Sequence, residues 1–328
     1  MRIKKEHDKY AIAIDIGATR IRIGIGRVDG TLLRKVVIST SQAKDDLVNF
    51  LTHIIEEKFS RYLDKLVGIG IGSIGPLDIN KGTILKPSNA PFENVEVRDP
   101  LSEKFNVNTY MVNDAVAAVW GEKIYGRGRS FNNIVYITIS TGIGAGVIVD
   151  NHLLLGKDGN AHEVGHIVVD YEGKLRCGCG GYGHWEAYCS GANIPRFTRY
   201  LIETKYKNMI DTSTLLTYYK SNTLTSKMIF EHARQGDLLA LRIVDEIALI
   251  NASGVSSVVN CYDPELISFG GAVALYNSDL ILNPLTKYMS RYVINKPPKL
   301  SLSTFGEDAV LKGAIALVFY TPNVLMKH

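Results

Sequence analysis

Cysteine is scarce in this chain: four among 328 residues. Cys177 and Cys179 stand too close in sequence to begin a disulfide framework. That excludes a small secreted scaffold held by disulfides. No apolar run approaches the ~20 residues a membrane helix needs. The opening MRIKKEHDKY is charged and lacks an apolar core, so no signal peptide is expected and the protein reads as cytoplasmic. A surplus of one charge is also missing. Thirty-seven Lys and Arg face 33 Asp and Glu, and the net charge of +4 is too weak and too dispersed to imply a nucleic-acid partner. There is no low-complexity linker, and no G-x-x-x-x-G-K-[ST] phosphate loop. What remains is an ordinary soluble composition, 46% hydrophobic and 21% charged, in a chain long enough for two cored domains.

The apolar pattern organises that length. YAIAI, the turn in IDIGATR, the alternating IRIGIG and the turn VDG make residues 10–38 strands and tight turns. Leu47, Phe50, Leu51, Ile54, Ile55, Phe59 and Leu63 give residues 43–65 a helical spacing. LVGIGIG (66–72) reads as a buried strand. TYMVNDAVAAVWGEKIYG reads as a short strand, then a helix from about Ala115. The order of the first forty residues recurs in NIVYITISTGIGAGVIVDNHLLLG: strand, glycine turn, alternating strand, turn, strand. Two such halves predict two similar α/β domains facing each other across a cleft, although two unrelated hairpins would share the pattern. Residues 194–260 read mostly as helix, and GEDAVLKGAIALVFY as a closing helix expected to return to the first domain. The expected lobes are residues 1–118 with 308–328, and residues 119–307.

Four short motifs suit phosphate chemistry. DIGATR (15–20) turns at Gly17, where a backbone without a Cβ admits an anion closely. Thr19 adds a hydroxyl, and Asp15 suits a hydrated Mg²⁺ beside phosphates; an ordinary hairpin also fits. STGIGAG (140–146) is the counterpart in the second half, with Thr141, Gly142 and Gly144 suited to phosphate oxygens. A strand follows it rather than a helix, so it is no dinucleotide fingerprint. Gly270 and Gly271, in FGGAVA, would let a flat ring such as adenine lie on the backbone; close helix–strand packing is the plainer reading. Asn113 and Asp114 fall where a strand gives way to a helix. Asp114 serves there either as an N-cap or as a general base, taking a proton from an alcohol that attacks phosphorus. Asn113 would hold a neighbouring hydroxyl.

CGCGGYGHWEAY (177–188) carries different chemistry. With His166 it completes H-x10-C-x-C-x4-H: His166, Cys177, Cys179 and His184. Two thiolates and two imidazoles suit tetrahedral Zn²⁺. Four protein ligands leave no open position, so the ion would be structural and would pin a floppy glycine loop; free thiols and surface histidines are the alternative. Glu163 and Glu186 are then left to accept hydrogen bonds from a polyol. His166 can meet zinc with one ring nitrogen and a ligand hydroxyl with the other. Cys189 and Cys261 read as buried, and Glu172 and His162 as surface or loop residues.

Together these residues resemble the ROK family of sugar kinases, in the actin/hexokinase/Hsp70-like superfamily. The likeness runs through DIGATR, GPLD, PSNAPF, NDAVAA, STGIGAG, GNAHEVGH, CGCGGYGHWEAYCSG, NCYDPELISFGG and GEDAVLKGA, almost the whole chain. It implies an α/β fold of two RNase H-like lobes around a central cleft, ATP, Mg²⁺, structural Zn²⁺ and a hexose. It implies Asp114 as catalytic base, and Asn89, Asn113, Glu163, His166 and Glu186 as sugar contacts. Asp15, Gly17 and Thr19 match the first phosphate motif; Thr141, Gly142 and Gly144 match the second. Gly270 and Gly271 match the adenosine motif, and His166, Cys177 and Cys179 the zinc ligands. Two positions depart from the pattern. His184 stands where the family usually has a third cysteine, and His162 where it more often has a small residue at the edge of the sugar pocket.

The implied reaction is transfer of the γ-phosphoryl of ATP to the 6-hydroxyl of glucose or a related hexose. The GHWEAY form is similar to archaeal hexokinases or glucokinases of the family. N-acetylmannosamine is the alternative acceptor, and polyphosphate an alternative donor. Some family members are sugar-sensing repressors, but these carry a DNA-binding domain before the first phosphate motif, and only about fourteen residues precede Asp15. An actin-like scaffold fits poorly with the zinc loop and paired carboxylates. A homodimer or dimer of dimers is the family expectation.

Overall fold

Alternating isoleucine and glycine build the first sheet. A computed structural model describes residues 8–87 and 90–327. Its strands are β1 (Tyr10–Ile16), β2 (Arg20–Gly26), β3 (Leu32–Ser39), β4 (Leu66–Ser73), β5 (Leu77–Asp78), β6 (Thr83–Ile84), β7 (Val95–Glu96), β8 (Asn108–Asn113), β9 (Ile134–Ile139), β10 (Ile143–Val149), β11 (His152–Leu153), β12 (Leu266–Gly270) and β13 (Lys299–Leu302). The helices are α1 (Leu47–Phe59), α2 (Arg98–Phe105), α3 (Asp114–Ile124), α4 (Glu186–Cys189), α5 (Ile194–Thr204), α6 (Leu216–Lys220), α7 (Ser226–Arg234), α8 (Leu238–Tyr262), α9 (Ala272–Tyr276), α10 (Ser278–Met289) and α11 (Ala309–Phe319). The strands form sheets in the orders β3-β2-β1-β4-β8, β11-β10-β9-β12-β13 and β5-β6-β7. The repeated order read in the sequence is present: each five-stranded sheet begins with three consecutive strands joined by tight turns. Residues up to Tyr136, Gly146–His162 and those from Ser303 onward make one compact unit; Ile137–Ala145 and Glu163–Leu302 make another.

In the first unit, period two sends every isoleucine of IAIDI and IRIGIG to one face and the small residues to the other. The small face receives α11. A methyl on Gly70 would stand 1.9 Å from the Ala314 carbonyl oxygen, and one on Gly26 would stand 2.2 Å from Ile315 Cδ1. Ala13, Leu311, Ala314 and Ile315 are fully buried together there. The closing helix thus packs on β1 and β4, and glycine is what lets its backbone come so near. Gly313 does the same between helices, where a Cβ would sit 1.7 Å from the Ala117 carbonyl oxygen of α3. Gly313→Ala should therefore lower stability by about 1–3 kcal/mol or more, despite a helix-propensity gain of about 1 kcal/mol. Urea midpoints of the two proteins measure the difference, and an unchanged or raised midpoint would refute this packing.

In the second unit the long helix α8 carries the core. Trp185 is fully buried and covers Gly254, where a methyl would lie 2.3 Å from the ring. Its Nε1 donates to Asn251 Oδ1 at 2.8 Å. The residue between His184 and Glu186 is thereby bolted to α8.

Candidate active site

Parallel strands carry functional residues at their carboxyl ends, and the first unit follows that rule. β1 pairs in parallel with β4, and β4 with β8. Asp15 lies near the end of β1, 3% exposed. The antiparallel register sets Arg22 of β2 directly opposite it, and Arg22 Nη1 donates to Asp15 Oδ2 at 2.7 Å. Burial pushes the Asp15 carboxyl up to about 6, against the opposing pull of Arg22. The Gly17 N–H is committed to the hairpin, donating to the Arg20 carbonyl at 3.0 Å. Thr40 Oγ1 donates to the Gly17 carbonyl at 2.8 Å, holding the turn from its other side.

At the end of β8 both Asn113 and Asp114 meet the first N–H groups of α3. Asn113 is the N-cap, its Oδ1 accepting the Ala115 N–H at 2.9 Å. Asp114 is the first helical residue, and its Oδ1 accepts the same N–H at 2.7 Å. Its negative charge is favoured at the positive end of α3. Gly72 of β4 makes room for α11 and α3: a methyl there would stand 2.5 Å from Val310 Cγ1 and 3.1 Å from Ala117 Cβ. Sequence reasoning missed Tyr136. Burial, reinforced by Asp114, Glu122 and Asp15, holds its phenol above the ordinary range, so it stays protonated. Asn89 lies outside the described residues.

In the second unit, Ser140, Thr141 and Gly142 form the turn between β9 and β10. The Ser140 N–H donates to the Gly142 carbonyl at 2.9 Å. Thr141 is exposed, while Gly144 lies within β10. Gly270 ends β12. Gly271 adopts φ +81°, and a methyl there would lie 2.5 Å from the Ile139 carbonyl oxygen. Backbone conformation and close packing both require glycine at that position.

The four metal-binding candidates come together. One ligand atom from each of His166, Cys177, Cys179 and His184 lies within 4.8 Å of all the others. His166 Nδ1 and His184 Nδ1 are 3.2 Å apart, Cys179 Sγ and His184 Nδ1 3.3 Å, and Cys177 Sγ and His166 Nδ1 3.8 Å. Zinc bonds of about 2.0 Å to nitrogen and 2.3 Å to sulfur set tetrahedral ligand separations at about 3.3–3.8 Å. The donor set and its spacing fit that ion. Burial raises the Cys177 thiol to about 12, so a cation is what would make it a thiolate near neutrality.

The glycines of this loop shape it rather than loosen it. Cys177 N–H donates to the Gly181 carbonyl at 2.7 Å, Gly180 N–H to Cys177 at 3.0 Å, and Gly183 N–H to Leu175 at 3.0 Å. Gly183 has φ +71°, and a methyl on it would be 1.9 Å from the Asp170 carbonyl oxygen. The expectation of a floppy loop is therefore corrected: a small laced hairpin presents the thiols.

Glu163 and Glu186 flank the tetrad differently. Glu163 is half-buried, and its Oε2 lies 3.7 Å from His166 Nε2, the ring nitrogen turned away from the tetrad. Burial lifts the Glu163 carboxyl, His166 opposes that, and Glu186 adds to it. Glu186 is buried, with Oε2 accepting the Ile143 N–H at 2.8 Å. Its carboxylate is thus already engaged by protein, a bond that no spacing in the sequence signals.

His162, expected at the surface or in a loop, lies in a loop but is buried: it is 1% exposed, and its Nε2 lies 3.0 Å from the Gly159 carbonyl oxygen. Burial lowers its pKa to about 4, leaving it neutral. Cys261, expected inside, is exposed on α8, whereas Cys189 is buried. The exposed Glu172 pairs with Lys174.

A sequence model described as the ROK family matches residues 11–320. A glucokinase of Pyrobaculum calidifontis is 37% identical over 319 residues, covering 97% of this chain and 98% of its own. The crystal structure of a ROK family glucokinase from Streptomyces griseus, in complex with glucose and AMPPNP, is similar with a TM-score of 0.76. It is 29% identical and covers 94% of this chain and 98% of its own. The ROK hexokinase from Thermus thermophilus is similar with a TM-score of 0.79, at 28% identity, covering 97% of this chain and 99% of that one.

Proposed function

Because this chain belongs to the ROK family, we propose that it is an ATP-dependent glucokinase, transferring the γ-phosphoryl of ATP to the 6-hydroxyl of glucose. The observation that carries the reading is the setting of Asp114. Its carboxylate stands at the first position of α3, beside the carboxyl ends of β1, β4 and β8, with Asn113 as the N-cap next to it. Asp114 accepts the proton of the sugar hydroxyl as that oxygen attacks phosphorus. Asn113, whose amide nitrogen is not used in the cap, holds a neighbouring hydroxyl, and Asn89 is assigned the same kind of contact. Glu163 and the outward Nε2 of His166 receive further sugar hydroxyls, together with the remaining lone pairs of Glu186. Thr19 and the Gly17 turn are assigned to the phosphates, as are Thr141, Gly142 and Gly144. Gly270 and Gly271 lie beneath the adenosine. Asp15 would orient a Mg²⁺ brought with ATP, which would supply charge neutralisation at the phosphates. The tetrad takes a structural Zn²⁺. No described helix is long and apolar enough to cross a membrane. A homodimer is the assembly to test by light scattering.

A coupled assay over glucose, mannose, glucosamine, N-acetylglucosamine and N-acetylmannosamine, each with ATP, checks the substrate. Glucose should show the highest kcat/KM. A preference for N-acetylmannosamine would overturn the acceptor assignment, and absence of sugar-dependent ATP use would overturn the kinase reading.

A further inference from the structure

Glu186 joins two features that the sequence keeps forty residues apart. Its Oε2 accepts the N–H of Ile143, the first residue after the Ser140–Gly142 turn. Its Oε1 lies 3.6 Å from Cys177 Sγ in the metal tetrad. A methyl on Gly142 would stand 2.6 Å from the same Oε2, so the turn lies directly on the carboxylate. The chain beyond Glu186 extends the support. Gly191 N–H donates to the Ser140 carbonyl at 2.6 Å, and Ala192 N–H to the Thr141 carbonyl at 3.2 Å. Trp185, one residue earlier, fixes the segment to Asn251 of α8.

We propose that Glu186 is a positioning residue for the nucleotide phosphates, clamping the 140–143 turn from beneath. The proposal rests on the reading of that turn as a phosphate site. Donors aimed at phosphate oxygens are effective when their geometry is set before the ligand arrives. Ile143 is buried, and without Glu186 its N–H would lack an acceptor, which favours a rearranged turn. A carboxylate has about four acceptor positions, so the clamp leaves room for a sugar hydroxyl on the same side chain.

Isothermal titration separates the two roles. The Kd of the Mg²⁺ complex of AMPPNP is measured without sugar, and that of glucose without nucleotide, for wild type, E186A, E186Q, E186D and T141V. E186A should weaken nucleotide binding about tenfold, the effect of losing one buried hydrogen bond, and should weaken glucose binding too. E186Q keeps an acceptor for Ile143, so its nucleotide affinity should return close to wild type while its glucose affinity stays low. E186D, one methylene shorter, withdraws the acceptor and serves if E186A does not fold. T141V should weaken nucleotide alone. Wild-type nucleotide affinity in E186A and E186D alongside a weakened T141V overturns the clamp, as does E186Q binding no better than E186A. If T141V also binds nucleotide normally, the phosphate reading of the turn fails instead.

Discussion

An Asp114→Asn enzyme will bind glucose with nearly the wild-type Kd and lose about 10²–10⁴-fold in kcat, the usual size of a general-base contribution. The substitution keeps the side-chain oxygen that accepts the Ala115 N–H. The start of α3 is also held independently by the Asn113 cap. Folding should therefore be little disturbed. What is lost is the ability to receive a proton while the sugar oxygen becomes a nucleophile. The loss corresponds to about 3–5 kcal/mol of barrier. Spectrophotometric turnover and calorimetric glucose binding, run on the same preparation, test both halves. Near-normal turnover would show that Asp114 only decorates the helix start. Loss of glucose binding in step with turnover would make it a sugar contact rather than a base.

Much of this site was legible because it rests on local rules. A strand ending in Asn-Asp before an alanine-rich helix announces a capped helix start. Histidines and cysteines packed into 19 residues announce a metal. The repeated order of strands and glycine turns announced two sheets of one design. Less legible was anything decided by register or by distant chain. Arg22 faces Asp15 because the hairpin pairs them; counting outward from a turn at residues 17–20 finds it. Tyr136 feels the charge of Asp114 only through the tertiary fold, and no spacing rule reaches across 22 positions. Glu186 was read as free because zinc already had four ligands. The bond to Ile143 depends on how α4 is seated under β10, a tertiary fact. The isoleucine–glycine alternation was read as a buried strand, yet its cause is the closing helix α11, some 240 residues later in the chain. His162 follows the same logic: polarity suggested surface, but the Gly159 carbonyl gives its ring a partner indoors.

The second large effect concerns the metal. Wild-type protein should contain one zinc per chain by mass spectrometry, and Cys177→Ser should contain almost none. Apparent zinc affinities in small structural sites reach about 10–16 kcal/mol. Most of that is not recovered here as stability, because the loop already has its own hairpin bonds and its Trp185 anchor. Even a quarter of it, about 3 kcal/mol, would lower the melting temperature by about 4 °C in a protein of this size. Local loosening should accompany the shift: proteolysis should cut between His166 and His184 in the variant and spare the wild type. Glucose affinity should fall as well, since His166 orients Glu163 from within the tetrad. The fourth ligand has its own test. His184→Cys offers a thiolate close to the position where Nδ1 now lies 3.3 Å from Cys179 Sγ, so it should keep zinc, whereas His184→Ala should lose it. If His184→Ala keeps full zinc and an unchanged melting temperature, three protein ligands suffice and the ion has an open coordination position. It could then touch the substrate, and a purely structural role for it would no longer hold.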